Sequence, residues 1–161
     1  MAQQKITTFL WFAEEAEEAA AFYTSLFADS EVTKVYRQPA GGPAEEGSVM
    51  LVSFRLAGQE YLALNGGRQG FTFNESISLS VDCEDQAEVD RLWSALTADG
   101  GEEGVCGWLK DRYGLSWQIV PRRLPEMLAD PDREAASRAM TAMTGMRKLD
   151  VAGLEAAFHA G

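Results

Sequence analysis

The sequence predicts an α+β chain: two tandem strand–helix–strand–strand–strand units followed by a helical tail. The first observation behind this is an internal match. Shifted by 70 positions, Glu14 falls on Glu84, Glu18 on Glu88, Leu26 on Leu96 and Ala28-Asp29 on Ala98-Asp99, while Phe22-Tyr23-Thr24 meets the similar Leu92-Trp93-Ser94. A repeat of that length is a supersecondary unit, too long for a coiled coil and present in too few copies for a solenoid. The second is that an apolar, β-rich run precedes each copy, Ile6 to Phe12 and Ile77 to Val81. Tandem units of this kind pair their sheets, so a ligand site is expected in the cleft between them.

The elements follow in order. Ile6 to Phe12 is short, β-branched and aromatic, and reads as a buried strand. Glu14 to Phe27 reads as a helix, with Ala16, Ala19, Ala20, Phe22, Tyr23, Leu26 and Phe27 as its apolar stripe and early glutamates at its positive end. Glu31 to Gln38, Ser48 to Leu56 and Glu60 to Leu64 read as strands, separated by the loop Pro39 to Gly47 and the turn Ala57-Gly58-Gln59. Asn65-Gly66-Gly67 ends this first set.

The pattern then starts again. Ser76 to Cys83 is a strand, with Ser76, Ser78 and Ser80 on one face and Ile77, Leu79 and Val81 on the other. Glu84 to Asp99 is a helix with Val89, Leu92, Trp93 and Leu96 inward, stopped by Gly100-Gly101. Gly107 to Asp111 and Leu115 to Val120 are strands around Arg112-Tyr113-Gly114. A short strand before Cys106 completes the pattern, with Glu102-Glu103-Gly104 as a poor match to strand chemistry. After Pro121 the chain reads as helical: Leu124 to Leu128, then a helix capped by Asp130 with Pro131 at its first position, then Val151 to Phe158 capped by Asp150. Met140, Met143 and Met146 form a helical stripe that reads as core or interface filler. This tail packs either on the repeats or on a partner subunit. The expected organisation is one domain over 1–161, with repeats at about 5–67 and 75–121 and the tail at 122–161.

Composition narrows the function. The net charge of −11 opposes phosphate backbones and anionic membrane surfaces, so neither nucleic acid nor membrane is an expected partner. No apolar run reaches the roughly 18 residues of a membrane span, and Met1 to Lys5 is polar; a cytoplasmic protein is expected. The two cysteines, Cys83 and Cys106, match no zinc spacing and no disulfide framework. The sole histidine, His159, lies at the end of the last helix, which argues against histidine-based triads and metal clusters. Gly66-Gly67 follows a strand but opens no helix, so no phosphate loop is present. The carboxylates Glu60, Glu75, Asp82 and Asp111 lie in or beside strands, and no spacing singles them out as metal ligands. The sequence calls for no cofactor and no metal, and it assigns no catalytic residue.

What it does offer is an aromatic and amide-rich set: Trp11, Asn65, Phe71, Phe73, Asn74, Trp108 and Trp117. Apolar walls with a few fixed polar groups are the ingredients of a small-molecule pocket. Filling of a sheet–helix core accounts equally for any one aromatic, and turn chemistry for either asparagine. Cys106 sits in a glycine-bounded loop, either inert or a thiol next to the cation Lys110. Lys110-Asp111-Arg112 is a strand-end charge cluster, or the rim of a site for an anionic ligand.

These residues resemble a known family. Phe9-Leu10-Trp11-Phe12 with the Glu/Ala-rich helix ending Phe22-Tyr23, then Leu64-Asn65-Gly66-Gly67, Phe73-Asn74-Glu75, Cys106-Gly107-Trp108-Leu109-Lys110-Asp111 and Trp117-Gln118 are similar to the bacterial proteins labelled 3-demethylubiquinone-9 3-methyltransferase. Those proteins stand close to the PhnB-like branch of the glyoxalase/bleomycin-resistance/dioxygenase, or vicinal oxygen chelate, superfamily. The resemblance implies paired βαβββ units forming a cupped mixed sheet, usually in a homodimer. It also implies that active members hold a divalent metal with His and Glu on that sheet. The matching strands here offer Thr8, Asn65, Ser78 and Gln118, and none of these is a histidine or a carboxylate. The expected ligand-binding set is therefore Trp11, Asn65, Phe71, Phe73, Asn74, Cys106, Trp108, Trp117 and Gln118. Three functions compete. One is a dimeric protein binding a small aromatic or amphipathic molecule. Another is a superfamily enzyme, either a metal-dependent lyase or isomerase or the methyltransferase of the label. The last is a structural or interaction protein.

Overall fold

The first strand, β1 (Thr8–Phe12), begins at Thr8 rather than Ile6, whose side chain is 87% exposed. In this computed structural model residues 3–161 are described, so Met1 and Ala2 of the polar start lie outside the described residues. The chain divides into two compact units, Met1–Phe71 and Thr72–Gly161.

The first unit continues with α1 (Ala16–Leu26), β2 (Glu31–Arg37), β3 (Val49–Leu56) and β4 (Gln59–Asn65). Its mixed sheet runs β1-β4-β3-β2, with β1 parallel to β4 from Thr8↔Tyr61 to Phe12↔Asn65 and the other pairs antiparallel. Alternation sets the faces: Leu10, Phe12, Val52, Phe54, Leu56 and Ala63 point to the core. Ala16, Ala19 and Ala20 let the helix backbone lie close to the sheet, and Tyr23 reaches Phe54 with ring centroids 6.4 Å apart. The expected stripe is narrower than predicted, since Phe22, Leu26 and Phe27 are only half-buried.

The second unit repeats this plan with β5 (Ser78–Cys83), α2 (Gln86–Thr97), β6 (Glu102–Glu103), β7 (Trp108–Lys110) and β8 (Ser116–Pro121). The order β5-β8-β7-β6, with β5 parallel to β8, reproduces the first sheet. The weak strand signal at Glu102-Glu103 is a real but very short strand paired to β7. Val89, Leu92, Trp93 and Leu96 face inward as expected, with α2 packed on β7 and β8, whose Leu109, Trp117 and Ile119 are buried too. Asp85 caps α2 by accepting from the Glu88 amide, while the Glu88 carboxylate accepts from the Glu84 amide. Three residues, Ala13 to Glu15, join β1 to α1, but only Glu84-Asp85 join β5 to α2. The sequence match therefore holds in the helices and slips by one position in the strands.

The tail comprises α3 (Arg123–Leu128), α4 (Arg133–Thr144) and α5 (Val151–Phe158) around a small core of Leu124, Met127, Ala135, Ala139, Leu149, Leu154 and Phe158. Met143 and Met146 pack against that core as filler, whereas Met140 is exposed. The tail belongs to the second unit: Cys106 and Gly107 donate backbone hydrogen bonds to the carbonyls of Met146 and Arg147, each 2.8 Å. Two expected caps are corrected. Asp132, not Asp130, caps α4 by accepting from the Glu134 and Ala135 amides, and Pro131 lies ahead of the helix; Asp130 instead accepts from the Asp132 amide in a local turn. Asp150 stands at the α5 cap position without a capping bond. Gln86 of α2 supplies it from far along the chain, accepting from the Val151 amide at 2.7 Å while donating to the Leu149 carbonyl. Among the described residues no helix is long and apolar enough to cross a membrane.

Candidate functional site

Each sheet has one face packed on its own helix and one turned away from it. In the first unit the away face is apolar around β1 and the end of β4, with Ser53, Arg55 and Glu60 toward its other end. Its parallel ladder pairs Phe9 with Leu62 and Trp11 with Leu64, and Leu51 lies opposite Leu64 on β3. Phe9 is 52% exposed, Trp11 37% and Phe71 57%. Trp11 and Phe71 meet edge to face, 5.3 Å between centroids and 75° between planes. The Trp11 indole N–H donates to the Gly67 carbonyl at 3.0 Å. The same ring lies on Gly66, where a Cβ would come within 2.2 Å of the indole. The glycine pair after β4 is thus a seat for Trp11, beyond its part in the turn.

Asn65, expected to orient a ligand, has each end of its amide engaged by backbone. Its Oδ1 accepts from the Ala16 amide at 2.8 Å and its Nδ2 donates to the Val49 carbonyl at 3.1 Å. Glu15 makes no side-chain cap for α1, so Asn65 caps that helix from the strand beside it.

In the second unit the away face is polar. Ser78 pairs with Ser116 and Ser80 with Gln118 on β5–β8, and Trp108 and Lys110 lie opposite Gln118 and Ser116 on β7. Gln118 donates Nε2 to Ser78 Oγ at 3.0 Å. Glu75 reaches the Lys110 ammonium at 2.5 Å. That hydrogen bond holds the Glu75 carboxyl below its usual range and raises the Lys110 ammonium above its own. Two cavities flank Lys110. One of about 190 Å³ is lined by Trp108, Ser116, Glu75 and Glu102 among others, and one of about 380 Å³ by Phe73, Arg112 and Tyr113 among others.

Three further expected site residues have structural roles. Trp117 is corrected: it is 1% exposed on the helix side, its indole N–H donating to Asp111 Oδ2 at 2.9 Å, so it offers no stacking surface. Asn74 accepts from the Ser76 amide in a turn. Cys106, in the left-handed region at φ 57°, and Gly107, at φ 83° with the Leu149 side chain where a Cβ would sit, form the loop that the tail clamps. Cys83 is a buried thiol pushed up to about 12, chiefly by desolvation and then by the Glu88 and Asp82 carboxylates.

Sequence reasoning missed Asp111 as an organiser. Its buried carboxylate accepts from the Tyr113 and Leu115 amides as well as from Trp117. The spacing Asp111-Arg112-Tyr113-Gly114 is a turn signal that would have found it. Among the described residues no three His, Cys, Asp or Glu side chains converge as metal ligands. The neutral set Thr8, Asn65, Ser78 and Gln118 does not fit a divalent cation: none is charged, and Asn65 and Gln118 are engaged within their own units.

The family model described as 3-demethylubiquinone-9 3-methyltransferase matches residues 4–120. The chain belongs to this family. A PhnB protein from Bacillus cereus carrying the same methyltransferase label is 40% identical, with a TM-score of 0.68 over 73% of this chain and 99% of its own. Protein PA1353 from Pseudomonas aeruginosa is 20% identical with a TM-score of 0.58, covering 74% of this chain and 98% of its own. The fosfomycin resistance protein FosX from Listeria monocytogenes is 16% identical with a TM-score of 0.55, covering 81% and 100%. The last two likenesses concern the fold alone. No curated protein matches the chain. The family match stops before the three tail helices, so the 3-demethylubiquinone-9 3-methyltransferase family region here is the tandem repeat alone.

Proposed function

We propose that the chain is a homodimeric small-molecule-binding protein of this family, taking up an aromatic or amphipathic ligand on the sheet faces turned away from the helices. The observation that carries this reading is the Trp11–Phe71 pair. Two large aromatic side chains stand half in solvent, Trp11 held by a hydrogen bond and a glycine seat rather than by core packing, and Phe71 set edge to face against it. Exposed, pre-ordered aromatics mark binding surfaces. Trp108, Phe73 and Gln118 supply the corresponding aromatic and amide groups of the second unit. Asn65 serves this surface as a positioning residue, through the helix it caps and the strand it ends.

Native mass spectrometry of the untagged protein tests the reading. A dimer carrying extra small-molecule mass, reduced by Trp11→Ala in a protein that still unfolds cooperatively, is the expected result. A monomer, or a dimer whose bound mass is indifferent to Trp11→Ala, would overturn it.

A further inference from the structure

An asparagine followed by glycine is chemically labile, because the next backbone nitrogen reaches the Asn Cγ most readily when its own residue carries no side chain. The chain has two asparagines: Asn65 precedes Gly66, and Asn74 precedes Glu75. At Asn65 the fold engages both reacting groups elsewhere. The side-chain amide is held at Oδ1 by the Ala16 amide, 2.8 Å, and at Nδ2 by the Val49 carbonyl, 3.1 Å. The Gly66 nitrogen donates to the Phe12 carbonyl at 2.9 Å, just past the Phe12↔Asn65 end of the parallel β1–β4 ladder. The Trp11 indole fills the space a Gly66 side chain would need and donates to the Gly67 carbonyl at 3.0 Å. Attack on Cγ requires the Ala16, Val49 and Phe12 bonds to open together, a local unfolding of the β4 end.

We propose that Asn65-Gly66 is a modification site, deamidating spontaneously to aspartate and isoaspartate at a rate set by opening of the β4 end. The Gly66 nitrogen bonds to Asn65 Cγ and the Cγ–Nδ2 bond breaks. The Gly66 amide proton passes through solvent to Nδ2, which leaves as ammonia, and a succinimide closes. Water then adds to either ring carbonyl. Both products undo the local structure. A carboxylate at position 65 sets an oxygen against the Val49 carbonyl where a donor stood. Isoaspartate adds a methylene to the backbone before Gly66, which moves the glycine pair out from under Trp11. The site lies within the first unit and stands with or without a bound ligand.

Peptide mapping by mass spectrometry of the full chain, kept in mildly alkaline buffer either folded or in concentrated urea, tests this. In urea the Asn65 peptide is expected to deamidate several-fold or more faster than the Asn74 peptide. In the folded chain the Asn65 reaction is expected to be about tenfold or more slower than in urea. Trp11→Ala, which uncovers Gly66, should speed the folded-state reaction several-fold and leave the rate in urea unchanged. The deamidated protein, refolded, should unfold at lower denaturant and show a displaced Trp11 indole N–H resonance. Equal rates at Asn65 and Asn74 in urea would overturn the site. Equal rates in the folded and unfolded chain, or no effect of Trp11→Ala on the folded rate, would overturn the gate. A refolded product with an unchanged midpoint and indole resonance would overturn the structural consequence.

Discussion

The two units share a connectivity and differ in the face they turn away from their helices. In the first, the parallel ladder presents Phe9–Leu62 and Trp11–Leu64; in the second, Ser78–Ser116 and Ser80–Gln118. Their helix-packed faces stay apolar in both, with Leu10, Val52, Phe54 and Ala63 in one and Leu109, Trp117 and Ile119 in the other. The fold constrains the packed face because any polar atom there needs a partner. The other face is free to change, and that is where the units have become apolar and polar. Support differs as well: the second unit carries a helical tail bonded to its β6–β7 loop and to Gln86, and the first has no counterpart among the described residues.

Substitutions sharpen this contrast, and the largest effect is expected where a tryptophan is core. Trp117→Ala should lower stability by about 3–5 kcal/mol, since it opens a cavity and orphans one of the bonds to buried Asp111. Trp11→Ala should cost well under half of that. Urea unfolding of both variants checks the difference, and equal losses would erase the distinction between packed and away faces. Asn65→Ala comes next, at about 1–2 kcal/mol, because it removes the side-chain acceptor that caps the start of α1 and a clamp on Val49. A drop in ligand affinity with no change in unfolding midpoint would return Asn65 to the binding surface. Gln86→Ala is the smallest, at about 1 kcal/mol, and should speed amide exchange at Val151 while leaving α1 unaffected. Unchanged exchange at Val151 would separate the tail from the second unit.

Much of the fold was legible in advance. The helices, the strand count and the inward set Val89, Leu92, Trp93 and Leu96 follow from periodicity, and the tandem plan follows from the internal match, because both depend on local spacing. The candidate site was legible only as a list of residue types. Trp11 and Trp117 both lie on short strands legible in the sequence, yet one is seated on Gly66 and part-exposed and the other is closed in the core. Parity along the strand separates them, and a slip of one residue exchanges the two faces.

The sequence by itself determined the α+β class, the repeat, the scarcity of histidine and the acidity that argues against nucleic acid, because these are properties of composition and short spacing. Only the tertiary structure decided that Asn65 caps α1, that Gln86 caps α5, that Asp111 ties the β7–β8 turn to Trp117, and that Ser116 is left with an orphan hydroxyl beside a cavity. The first three join side chains to partners on other elements, and the last leaves a side chain without one. Which donor meets which acceptor depends on register and packing, and no local pattern encodes that.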